Sequence, residues 1–233
     1  MERLKSKFYL LGIGSDAKTV KGVKYGYMTG ILYLAPANLS GNEVCPSRTQ
    51  GCSDSCLFTA GRGAFSNVRD ARISKTQLLF SNRAEFLRRL RHDIQLLIKR
   101  AEAQGLVPCV RLNGTSDLGW EGIAADIIRE FPDVQFYDYT KVVSRMMLYC
   151  KGKFPSNYHL TFSKSENNDS DCNKVLNAGG NVAVVFKNKP NVYFGYPVID
   201  GDLSDLRFTD GKGVVVGLKA KGKAKQDTTG FVV

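Results

Sequence analysis

Between Thr29 and Leu218 the sequence alternates short apolar runs with helical patterns, and that alternation leaves few folds open. Residues 29–36 read as a buried strand stopped by Pro36, and similar runs lie at 106–112, 134–137, 158–162, 181–186 and 214–218. Residues 70–104 carry Leu78, Leu79, Leu87, Leu90, Ile94, Leu97 and Ile98 near helical spacing, ending at Gly105. Shorter helical patterns occupy 120–131, 141–149 and 171–176. Strands that take turns with helices form parallel sheets, whose crossovers lay helices over the outside. The expectation is an α/β protein with a parallel sheet: a partial or distorted (β/α) barrel of the TIM-barrel type. Residues 188–213 have no helical pattern and read as an irregular excursion. The 233 residues suit one domain, ending in a basic tail at 219–233.

Folds of this class gather their chemistry at the C-terminal ends of strands. Here Asn113, Ser116 and Asp117 follow the second strand, Asp138, Thr140 and Lys141 the third, and Ser163 and Glu166 the fourth. Asp117 and Asp138 stand where two carboxylates face one another across a barrel mouth, for general acid–base work or a divalent metal. The competing reading makes Asp117 the cap of the helix that begins near Trp120. His92 and His159 are the only histidines, one in an arginine-rich helix and one in a strand, so a histidine-based hydrolase is disfavoured.

The loop after the first strand holds Cys45, Cys52 and Cys56, separated by six and then three residues. Without an export signal, clustered thiols point to metal or redox chemistry more than to disulfides. An iron–sulfur cluster with three cysteine ligands and one open iron is the first reading. A zinc site completed by Cys172 or His159 is the second, although structural zinc usually draws on paired short spacings. Unligated thiols or an unusual disulfide are the third. Arg48, Arg62 and Arg69 lie near enough in sequence to offset thiolate charge, whereas Cys109, Cys150 and Cys172 read as structural.

Thirty-three Lys and Arg against 22 Asp and Glu leave a net charge of +11, which suits an anionic substrate or DNA or RNA. The lysines at 219, 221, 223 and 225 follow the last strand, near the same mouth. No run approaches the ~18 apolar residues of a membrane span. The apolar stretch after Met1–Lys7 breaks at Gly12, Gly14 and Asp16, too early for a signal peptide. A soluble, cytoplasmic protein is expected; nothing in the sequence sets its oligomeric state.

A cysteine trio after the first strand of such an alternation resembles the radical SAM superfamily. That resemblance implies a 4Fe-4S cluster on Cys45, Cys52 and Cys56 and S-adenosylmethionine on the open iron. Asn113, Ser116, Asp117, Asp138, Thr140 and Ser163 would then hydrogen-bond that cofactor, and Lys141 and Lys219 would orient an anionic co-substrate. The superfamily's usual spacing is three residues then two, and Asn113–Asp117 stands where its glycine-glycine-glutamate segment would fall. More closely, the sequence resembles the bacteriophage gene product 88 family. The shared segments are Cys45-Pro46 with Cys52 and Cys56, residues 111–117, residues 137–141 and residues 157–163. This implies a phage or prophage origin and no particular activity. Two functions follow: a radical-SAM-like iron–sulfur enzyme, or a nucleic-acid-binding or nuclease-like protein whose iron–sulfur or zinc centre is structural.

Overall fold

A computed structural model describes residues 9–14, 19–59 and 61–233, without the side chains of Thr59 and Arg62. Met1–Lys7 and Asp16 therefore lie outside the described residues, as does the Arg62 side chain.

The strands are β1 (Leu11–Ile13), β2 (Tyr27–Leu32), β3 (Val107–Arg111), β4 (Gln135–Thr140), β5 (Tyr158–Ser163), β6 (Val182–Phe186), β7 (Val192–Tyr193), β8 (Tyr196–Asp200) and β9 (Val215–Lys219). They form one sheet in the order β1-β2-β3-β4-β5-β6-β9-β8-β7. From β2 to β8 every neighbouring pair is parallel; β1 and β7 add antiparallel edges. Strands β2 to β6 step across the sheet in chain order, as in a barrel, but the sheet does not close. All six strands expected from the sequence are present.

The helices are α1 (Ala37–Ser40), α2 (Gln50–Asp54), α3 (Ser66–Ser81), α4 (Arg83–Glu102), α5 (Trp120–Ile123), α6 (Ala125–Glu130), α7 (Val143–Cys150) and α8 (Asp169–Asn177). Helix α4 buries Phe86, Leu90, Ile94, Leu97 and Ala101, spaced three or four apart, in a stripe toward the sheet. A Cβ at Gly30 of β2 would lie 3.1 Å from both Leu11 and Leu97, so glycine permits this close approach. Val110, Leu112, Phe136 and Tyr158 share that core; Leu160, Phe162, Val182 and Val184 continue it under α7 and α8. The opposite face, through Cys109 and Tyr137, packs against Leu206 and Phe208.

Three departures from the sequence reading have physical causes. The long helix 70–104 is two helices, because Asn82 accepts the Glu85 N–H at 3.1 Å and caps α4. The excursion at 188–213 contains the β7–β8 hairpin, turned by Phe194 (φ 54°) and Gly195 (φ 81°). Its two-residue turn lacks the usual Asn-Gly or Asp-Gly signature. The basic tail is folded: Val232 bridges Val185, and the Val233 N–H donates to the Val185 carbonyl at 3.0 Å. Among the described residues no helix is long and apolar enough to cross a membrane.

Candidate metal centre

The chain leaves β2 through Pro36, turns once as α1, and stops at Gly41 in the left-handed region (φ 76°). Cys45 follows the buried Val44, whose carbonyl accepts the Asp117 N–H at 2.7 Å. Thr49 caps α2 by accepting the Cys52 N–H at 3.3 Å, which puts Cys52 in the first turn. Cys56 comes just after that helix. Its sulfur accepts the Phe58 N–H at 3.5 Å, and Arg72 fixes Phe58 by donating to its carbonyl at 2.8 Å.

All six cysteines are free. Cys45, Cys52 and Cys56 line one cavity of about 220 Å³ at the C-terminal ends of the strands. The same cavity is lined by Asn113, Ser116, Asp117, Thr140, Lys141 and Ser163, so nine of the residues singled out above meet there. Asp138 does not. It is fully buried on the helix side of β4, accepting the Asn113 N–H at 2.6 Å and the Tyr158 hydroxyl at 2.7 Å. Strand alternation turns Asp138 away from the face that Tyr139 presents, whereas Thr140, of the same parity, reaches the cavity because it ends the strand. Burial pushes its carboxyl up to about 6 against the pull of Arg145.

Not every group at the cavity is open to a ligand. The Asn113 amide oxygen accepts from Ser116 Oγ (2.8 Å), Leu118 N (3.0 Å) and Trp120 Nε1 (3.0 Å), so this side chain builds the loop. Asp117 does not cap α5, whose capping position is Gly119, with no side-chain cap. Its carboxylate accepts the Lys141 N–H at 2.7 Å and lies 3.4 Å from Arg145. Thr140 Oγ1 accepts the Val142 N–H at 3.0 Å. The Lys141 ammonium has no carboxylate partner among the described residues and lies 5.6 Å from the Phe231 ring centre.

Glu166 does not join Asp117. It accepts Thr49 Oγ1 at 2.7 Å and the Gly51 N–H at 2.8 Å, clamping α2 from the loop after β5. Arg111, which the sequence reading passed over, lines the cavity, pairs with Asp205 at 2.7 Å and packs over the Tyr139 ring. Its signals are a charge two positions from Cys109 in an apolar strand and its place at the head of the shared segment 111–117. Arg48 pairs with Glu43 at the rim, while Arg69 and Lys219 are not among the lining residues.

Burial, then Asp117, Cys52, Cys56 and Glu43, push the Cys45 thiol up to about 12. Burial also raises Cys56, opposed by the Phe58 N–H, Lys141 and Arg72. Three bare thiolates would repel one another here, and a cationic metal core supplies the missing positive charge. Thiol sulfurs are the soft donors that iron–sulfur clusters and zinc take. Among the described residues, no three His, Cys, Asp or Glu side chains are gathered as around a single metal ion. The two fourth ligands considered for zinc are both elsewhere. Cys172 is buried in the core against Met146 and Val175, and His159 lines a separate cavity with Gln135 and Tyr149.

A family model described as gene product 88 matches residues 9–233. No curated protein and no solved structure matches the chain, so the likeness to the radical SAM superfamily gains no support from either comparison.

Proposed function

The chain belongs to the gene product 88 family, and for it we propose an iron–sulfur enzyme: Cys45, Cys52 and Cys56 hold a 4Fe-4S cluster whose remaining iron is open to S-adenosylmethionine. The observation that carries this reading is the meeting of three unbridged cysteines at one cavity with Lys141, which has no carboxylate partner among the described residues. Soft thiolates select iron–sulfur clusters or zinc over hard cations. When bound, such a cluster and S-adenosylmethionine supply one-electron cleavage of a carbon–sulfur bond.

The residues of this chain bind, orient and shield. Lys141 offers its ammonium to the carboxylate of the ligand, and Asp117 fixes the Lys141 backbone through the 2.7 Å bond to its N–H. Ser163 presents a hydroxyl without a side-chain partner among the described residues. Leu57, Leu218 and Phe231 form an apolar wall that limits water at the reacting atoms. Arg111, its charge met by Asp205, holds the Tyr139 ring in the cavity wall.

Anaerobically prepared, reduced protein is expected to convert S-adenosylmethionine to 5′-deoxyadenosine and methionine. Lys141→Met should weaken its binding at least about tenfold, a loss of ~1.4 kcal/mol, at unchanged iron content. A cluster-replete, reducible protein that neither binds nor cleaves S-adenosylmethionine rejects the proposal.

A further inference from the structure

A second, larger cleft of about 770 Å³ shares Cys45, Cys52 and Cys56 with the cavity described above. The thiols thus form a partition, and anything held in the cleft lies against the metal centre. The opposite wall is the C-terminal segment, which is fixed in place. Ala224 is buried, and Asp227 accepts the N–H groups of Gly230 and Val232.

The lining of this wall is polar and unspent. Asn38, Ser55, Lys223, Gln226 and Thr228 line the cleft, and none has a side-chain partner among the described residues. The carboxylates there are already engaged: Asp54 accepts from Gln50, and Asp227 also accepts Thr229 Oγ1. Nearby lysines divide into two sets. Lys189 pairs with Asp200 and Asp202 and Lys221 with Asp202, whereas Lys223 on the lining and Lys225, two residues on and outside it, have no carboxylate partner among the described residues. The single aromatic ring in the lining, Phe58, is 2% exposed, so no platform is offered for stacking a base. Hydroxyls and amides that both give and take hydrogen bonds suit a sugar, and Lys223 on the lining, with Lys225 close by in the chain, suits a phosphate.

We propose that this cleft binds a sugar–phosphate unit, read through its backbone, as the substrate presented to the cysteine-held centre. Binding follows from the cleft itself; the role as substrate rests on the iron–sulfur reading. The unit has two sources, a free nucleotide or a single-stranded nucleic acid, and the test separates them. Thymidine 5′-monophosphate and a labelled fifteen-nucleotide oligothymidylate are titrated into the full-length protein over a salt series, with iron and sulfide measured on the same samples. The doubly substituted K223E/K225E protein should bind at least about tenfold more weakly, with the log–log salt slope shallower by about 1.4, at unchanged iron content. Lys151→Glu, on an exposed lysine beyond α7, should leave affinity and slope unchanged. Binding of the mononucleotide identifies a free nucleotide as the source; binding of the oligomer alone identifies nucleic acid. Absence of both at low salt, or equal losses in K223E/K225E and Lys151→Glu, overturns the proposal. Anaerobically purified wild type that binds but holds neither iron nor sulfide overturns the substrate role together with the iron–sulfur reading, and leaves the sugar–phosphate site standing.

Discussion

The Glu166 carboxylate accepts the Gly51 N–H at 2.8 Å across 115 residues of sequence. This bond ties the loop after β5 to the one-turn helix that carries Cys52. Burial works against the Glu166 charge, but Thr49 and Gly51 hold the carboxyl below its usual range. A Cβ at Gly51 would lie 2.7 Å from the Phe231 side chain and would also meet Thr229, so glycine lets the C-terminal strap seat on α2.

Gly51→Ala should therefore displace the strap and lower stability by about 2 kcal/mol through overpacking. Urea denaturation reads the loss, and iron per chain should fall with it. Unchanged stability and iron content would show that the strap does not brace the cysteine loop.

Asp138 holds two donors behind the cavity and does not reach into it. Asp138→Ala leaves the Asn113 N–H and the Tyr158 hydroxyl unpaired, a loss of about 3 kcal/mol. Chemical denaturation should show that drop, while folded protein keeps its full complement of iron. Loss of iron at unchanged stability would instead make Asp138 part of the site.

His159 makes the fold sensitive to acid. Burial, then Arg207, lowers its imidazole to about 4, and its ring shares a 3.0 Å hydrogen bond with the Tyr149 hydroxyl. Unfolded chain takes up this proton near pH 6.5 and folded protein only near 4, so the stability His159 contributes is present above 6.5 and lost as pH falls to 4. The full span is about 3 kcal/mol. Asp138 acts in the opposite sense, since its raised carboxyl keeps a proton that the unfolded chain releases. The difference between wild type and His159→Gln isolates the histidine: the variant should lose less stability between pH 7 and pH 5. Parallel curves would rule the histidine out.

Much of this arrangement was legible in the sequence. Apolar runs bounded by Pro36 and Gly105 identify buried parallel strands and a helix end. Polar residues after those runs mark the end of the sheet where Asp117, Lys141 and Ser163 meet the cysteines. What escaped notice depends on tertiary contacts. Asp138 lies one residue from Tyr139, and only the pleat decides which of them faces the cavity. Glu166 meets Gly51, and Phe231 meets Lys141, through backbone paths that no local pattern encodes. Asn82 was a missed local signal, because Asn-x-x-Glu is a cap written in sequence.

The central claim is that Cys45, Cys52 and Cys56 together hold one iron–sulfur centre. Iron, acid-labile sulfide and zinc are to be measured per chain on anaerobically purified protein and on each single Cys→Ala variant. Wild type should carry about four iron and four sulfide. Cys45→Ala, Cys52→Ala and Cys56→Ala should each lose most of both, and Cys109→Ala, buried in the sheet, should keep them. Full retention in Cys52→Ala, or stoichiometric zinc without sulfide in wild type, would contradict the account.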